Sequence, residues 1–232
     1  MKVKNFVILG LVVGVIFGAL NYVGWYDHLL WGRPSHFQKP GTVIILNGPS
    51  VAGKSSIQKE FQHLMMPHQW IKLGIDNLFD QPMPNITLDN LAFWQTPNAI
   101  RWVETTQDAE QNSVITLFIG AEGEKVAYGM NSAIAAYAQE GCNIIVDYIA
   151  YKKEWVDDLR EKLKNIPTYW VKVAIPLAVL EEREVARGTS SKGHARSHYD
   201  SVHWDIHYDF EVDSAVDSSG VIAQKIKAKL NL

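Results

Sequence analysis

Apolar residues are distributed along this chain in two periods. Thr42-Val43-Ile44-Ile45-Leu46 is apolar or β-branched throughout, which predicts a strand buried on both faces of a parallel sheet. After Lys54 the spacing lengthens. Ile57, Phe61 and Leu64 recur at helical intervals until Pro67 stops the run. Similar runs predict strands at Trp70–Ile75, Asn143–Asp147 and Tyr169–Ile175, a strand or hairpin arm at Ser113–Ile119, and a short alternating strand at Tyr208–Asp213. Helices are predicted for Glu124–Gln139 (ended by Gly141), for Lys152–Lys164, and from Leu177 onward. A final helix to Leu230 is capped by Asp217-Ser218-Ser219, with Val221, Ile222, Ile226 and Leu230 on its apolar face. Strands alternating with helices make this an α/β chain with a parallel sheet flanked by helices.

One run fits neither period. Phe6 through Tyr26 carries no charge and follows Lys2 and Lys4. As a helix it would span about 30 Å, the thickness of a bilayer core. A signal peptide shares the basic start and apolar middle, but no small-x-small cleavage site follows Ala19. Residues 1–40 are therefore expected to be an N-terminal transmembrane anchor and linker, and residues 41–232 the working domain, at a bacterial inner membrane. Lys2 and Lys4 on one flank against Arg33 and Lys39 on the other leave open which side the domain occupies. Gly10, Gly14 and Gly18 share one helix face. That suits close packing in a homodimer, or simply reflects the abundance of glycine in membrane helices.

Composition narrows the function classes. The chain has 232 residues, 47% hydrophobic and 20% charged, with a net charge of -3; no Lys/Arg stripe suggests a nucleic-acid partner. Cys142 is the only cysteine, so no internal disulfide forms; beside Ile144-Ile145-Val146 it reads as core filler before nucleophile.

The candidate chemistry starts at Gly48-Pro49-Ser50-Val51-Ala52-Gly53-Lys54-Ser55, which fits G-x-x-x-x-G-K-[ST] between a strand and a helix. Such a loop curls its N–H groups around a polyphosphate, its lysine reaches the outer phosphates, and its last hydroxyl ligates Mg²⁺. The candidate nucleotide-binding residues are Gly48, Ser50, Ala52, Gly53, Lys54, Ser55 and Ser56. Asp76 ends the second strand, where it either faces the active crevice or caps the helix starting at Asn77. Asp147 ends a fully apolar strand, either as a Mg²⁺-holding carboxylate with Ser55 or as a cap. Arg183 and Arg187 share a helix face, where they either pair with Glu181, Glu182 and Glu184 or close over a transferring phosphoryl group. The pairs His194/His198 and His203/His207 have metal-site spacing but no cysteine beside them, and suit a lid or surface segment better.

Together the loop with Ile44-Ile45-Leu46-Asn47, Leu73-Gly74-Ile75-Asp76, Ile144-Ile145-Val146-Asp147, Arg183-Glu184-Val185-Ala186-Arg187-Gly188 and Tyr208-Asp209-Phe210-Glu211-Val212-Asp213 resemble the chloramphenicol phosphotransferase family, in that family's order over residues 42–225. The resemblance implies a P-loop NTPase fold with an adenylate-kinase-like core. It also implies ATP-dependent phosphorylation of a small-molecule hydroxyl, with Asp76 as general base. Departures are Pro49 and Val51, where the family loop has Gly and Ser, and Tyr148, where an Asp often follows. Residues 81–122 show least similarity and are expected to face the acceptor. A membrane-bound nucleotide-binding module without turnover, and a kinase of a protein hydroxyl, fit the same motifs.

Overall fold

The computed structural model describes residues 39–77, 83–105, 107–108, 110–188 and 192–232, with backbone alone at 102–105. In chain order its elements are β1 (Val43–Asn47), α1 (Lys54–Met65), β2 (Trp70–Gly74), α2 (Leu91–Trp94), β3 (Ile100–Thr105), β4 (Val114–Ile119), α3 (Ala121–Gln139), β5 (Asn143–Tyr148), α4 (Lys153–Leu163), β6 (Thr168–Ala174), α5 (Leu177–Arg187), α6 (His194–Ser197), β7 (Phe210–Asp213) and α7 (Ser219–Lys229). The predicted anchor at 6–26 and its linker lie outside the described residues. Among the described residues no helix is long and apolar enough to cross a membrane.

All five residues of β1 are buried because both its faces are covered. Successive side chains of a strand point to opposite faces. Val43 and Ile45 enter one core with Met130 and Ile134 of α3 and Trp155 and Leu159 of α4. Ile44 and Leu46 enter a second with Ile57 and Phe61 of α1, Leu180 of α5 and Ile222 of α7. Both edges of β1 are also paired, in parallel, to β5 and β6; β2 and β7 extend the sheet, giving the order β2-β5-β1-β6-β7. The predicted P-loop-type α/β sheet is thus present, and its strand ends fall within two residues of those read from the apolar runs.

Outside this sheet, β3 and β4 form an antiparallel pair, so the segment around Ser113–Ile119 is a hairpin arm. Two helix expectations need correction. α3 begins at Ala121, three residues early, because Gly120 turns straight out of β4 and Glu122 and Glu124 then favour the N-terminal dipole. On α7 the buried residues are Ile222, Ala223 and Ile226; Val221 stands one residue off that stripe and is 40% exposed. Ser218 is the cap, as expected, its side chain accepting from the Val221 amide. Cys142 packs against the first core.

At the carboxyl end of β1, Asn47 is fully buried and satisfied. Its Nδ2 donates to the Val202 carbonyl at 2.8 Å and to the Tyr208 hydroxyl at 2.6 Å; its Oδ1 accepts from the Ala150 amide at 3.2 Å. Burial pushes the Tyr208 hydroxyl up to about 12. Truncating Asn47 to alanine strands the Val202 and Ala150 backbone groups in the core. Asn47→Ala is expected to lower unfolding free energy by about 2–4 kcal/mol, read as a lower urea midpoint at unchanged m-value.

Candidate active site

The loop Gly48–Ser55 leaves β1 at the carboxyl edge of the sheet and enters α1 through Gly53. That residue holds a left-handed φ of 91°, which costs glycine little. Lys54 folds back over the loop. Only 3% exposed, its Nζ donates to the carbonyls of Gly48 (2.9 Å) and Pro49 (2.7 Å) and lies 3.4 Å from Asp147 Oδ1. The Ser55 hydroxyl donates to the other Asp147 oxygen at 2.7 Å. Asp147 therefore touches both functional side chains of the loop. The cap alternative fails, since the residue before α4 is Lys152.

Parallel register supplies the second acid. Gly74 of β2 lies beside Asp147, and two residues on, Asp76 stands exposed in the same cavity. Leu78 and Phe79, in the helix expected after Asp76, lie outside the described residues. From the opposite flank, Arg183 donates to the Ser214 carbonyl (2.6 Å) and hydroxyl (3.2 Å), with one guanidinium nitrogen 3.9 Å from where a Cβ on Gly53 would sit. Arg187 is exposed and lines the cavity. The alternative of pairing with α5 glutamates does not hold among the described residues. Glu181 binds Arg196 at 2.6 Å, and buried Glu184 accepts from the amides of Gly193 and Ala195, both at 2.7 Å.

His194 and His198, expected in a lid or surface segment, are instead buried beside the phosphate loop. Each is 4% exposed, their rings are 4.5 Å apart, and Tyr151 packs on both. His198 Nε2 accepts the Ser50 amide at 3.0 Å, so a neutral imidazole holds one N–H of the phosphate loop. Burial pushes His194 down to about 4; burial, then the nearby His194 and Lys54 charges, holds His198 well below the ordinary histidine range. Among the described residues no three His, Cys, Asp or Glu side chains form a metal cage. Mg²⁺ does not require one, because it binds through one or two carboxylates and keeps water and phosphate oxygens. The Ser55 and Asp147 oxygens fit that donor set.

The resulting cavity, about 1490 Å³, joins the loop and Arg183, Arg187, Asp217 and Ser219 on one side to Met83, Ile86, Leu91, Trp94, Ile100, Arg101 and Leu117 on the other. Those residues of 81–122 thus line the same cavity as the phosphate loop. The model of the family "Chloramphenicol phosphotransferase-like protein" matches residues 41–231. The chain belongs to that family. As a chloramphenicol phosphotransferase-like protein it is a phosphotransferase of the small-molecule-kinase class. Two Mycobacterium tuberculosis proteins, from strains CDC 1551 and H37Rv, each bearing the name "Putative O-phosphotransferase", are 29% identical over 163 residues, 70% of either chain. In fold it is similar to M. tuberculosis APS kinase solved with AMPPNP and APS (TM-score 0.54, 15% identity, 84% of this chain and 99% of that one). A sugar kinase from Janibacter sp. is comparable (0.52, 15%, 83% and 95%).

The departures of this chloramphenicol phosphotransferase-like loop are structurally tolerated. Pro49 gives up an N–H but its carbonyl accepts from Lys54. Val51 takes a positive φ of 56°, unusual for a β-branched residue, and is held there by packing against the second core. Tyr148 is buried and donates to Asn131 Oδ1, serving the core.

The histidines also set a pH dependence. Unfolded, each takes a proton near about pH 6.5; folded, both resist it, so stability present above that pH is lost as pH falls toward about 4. Each contributes a slope of up to about 1.4 kcal/mol per pH unit. The urea midpoint is expected to drop on acidification through this window, and His198→Gln to flatten the dependence; equal slopes for the two proteins would contradict the assignment.

Proposed function

We propose that this protein is an ATP-dependent O-phosphotransferase that transfers the γ-phosphoryl group to a hydroxyl of a small molecule, using Mg²⁺. The observation that carries the reading is Asp147 bonded through one oxygen to Ser55 and facing Lys54 with the other, in the lining of a cavity that also holds Asp76. Residues 6–26 serve as its membrane tether in this reading.

Ser55 and Asp147 would hold Mg²⁺, which when bound neutralises charge on the outer phosphates. Two of the three Lys54 donors now rest on loop carbonyls. Phosphate oxygens compete for them with stronger, charge-assisted bonds. Arg183, steadied by Ser214, and Arg187 face the same space and stabilise charge that spreads over the transferring group. The acceptor oxygen forms a bond to the γ-phosphorus as the bond to the β–γ bridging oxygen breaks. The acceptor proton passes to Asp76, and ADP leaves with the bridging electrons.

With the full-length chain and a panel of alcohols, ATP consumption is expected to depend on the alcohol. Asp76→Asn should reduce turnover by about 10²–10⁴-fold with nucleotide binding intact, and Lys54→Ala should weaken both. Near-normal turnover by Asp76→Asn would remove it as the base; nucleotide binding with no alcohol-dependent turnover would point to a regulatory module.

A further inference from the structure

Five arginines are described, and they fall into two groups. Arg160 and Arg196, outside the cavity, pair with carboxylates: Asp157 at 3.7 Å, and Asp108 and Glu181 at 3.3 and 2.6 Å. Arg101, Arg183 and Arg187 line the cavity, and among the described residues none has a carboxylate within ion-pair distance. A cation left without its counter-charge in a cavity is arranged for an anion that arrives with the ligand. Arg183 and Arg187 lie on the phosphate-loop side and are accounted for by the nucleotide. Arg101 is not.

Arg101 stands on β3 directly opposite Phe118 of β4. Its guanidinium carbon is 4.3 Å above the Phe118 ring, and one nitrogen donates to the Thr96 carbonyl at 2.7 Å. Neither partner belongs to the phosphate loop. These contacts orient the group and use one of its five N–H donors, leaving most of the fork for a ligand. The Phe118 ring gives it an aromatic neighbour, and the cavity lining on this side includes Ile86, Leu91 and Trp94 together with Asn85 and Gln95. A neutral acceptor packed there would strip water from the half-buried cation without replacing it, whereas a carboxylate would restore paired, charge-assisted bonds. The site therefore discriminates by penalty as well as by attraction.

We infer that Arg101 is a specificity-determining residue selecting an acceptor that carries a carboxylate as well as its hydroxyl, on an apolar or aromatic body. This rests on the kinase reading above and names the acceptor class for the same site.

The test uses the full-length protein saturated with MgADP and a matched probe pair, para-(hydroxymethyl)benzoate and its neutral methyl ester, with binding read by titration calorimetry. Wild type is expected to bind the acid about tenfold or more tighter than the ester. Arg101→Gln should abolish the preference and Arg101→Lys restore part of it, with MgADP affinity equal in all three. Equal or weaker binding of the acid, no measurable acid binding at millimolar concentration, or weakened MgADP binding in Arg101→Gln would each overturn the inference. MgADP binding and its dependence on Lys54 are measured on the same preparations. If they survive while the acid preference fails, only the role of Arg101 falls; if they are absent, the kinase reading falls with it.

Discussion

Strand β1 is hemmed in on four sides, by β5 and β6 at its edges and by two helical cores on its faces. Its carboxyl end is the one direction left open, and the phosphate loop begins there. Because all five strands run parallel, the ends of its neighbours arrive at the same level: Leu46 is in register with Asp147, and Asp147 with Gly74. Sheet order then sorts the chemistry. Both acids, Asp147 and Asp76, come from the β5–β2 flank; Arg183 and its support Ser214 follow β6 and β7 on the other. The loop lies between an anionic bank that suits a metal and a cationic bank that suits phosphate.

A second constraint ties the phosphate loop to the β3–β4 hairpin. Glu184 is buried, and a buried carboxylate is tolerable only when its oxygens are satisfied; here the amides of Gly193 and Ala195 take one each. That clamp fixes Gly193 and Ala195 against α5. Gly193, at φ 89°, passes so close to the Ser113 carbonyl that a Cβ would sit 2.3 Å from it, and its own carbonyl accepts from Ile115 of β4. Five residues later His198 holds the Ser50 amide. Arg196 adds an ion pair to Asp108, in the connection between the hairpin strands. One short segment thus supports both the phosphate loop and the hairpin that carries Arg101.

These arrangements cost stability. Three arginines and Lys54 border one cavity, two histidines are buried neutral beside them, and Val51 keeps a strained backbone. Local rules broken together in one place are typical of a functional site.

The sheet and the phosphate loop were legible because their signals are local: an uninterrupted apolar run implies burial on both faces, and the Gly-x-x-x-x-Gly-Lys-Ser spacing implies a nest of amides. Asp76 and Asp147 could be singled out because each ends such a run. Where an exposed stripe had to be told from a buried one, as on α7, periodicity erred by a residue. The histidine segment read as lid or surface because nothing in its own neighbourhood marks it as buried. Its partner, Ser50, is 148 residues away and contributes only a backbone N–H, which leaves no trace in side-chain identity. The same holds for the Ser214 carbonyl under Arg183 and for the Thr96 carbonyl and Phe118 ring around Arg101. By itself the sequence determined that this chain carries a phosphate-loop motif and which acids stand near it, since those follow from spacing along one strand, loop and helix. Tertiary structure alone decided which of the described cations pair with carboxylates and which groups hold the loop in place, because those are properties of packing between segments far apart in the chain.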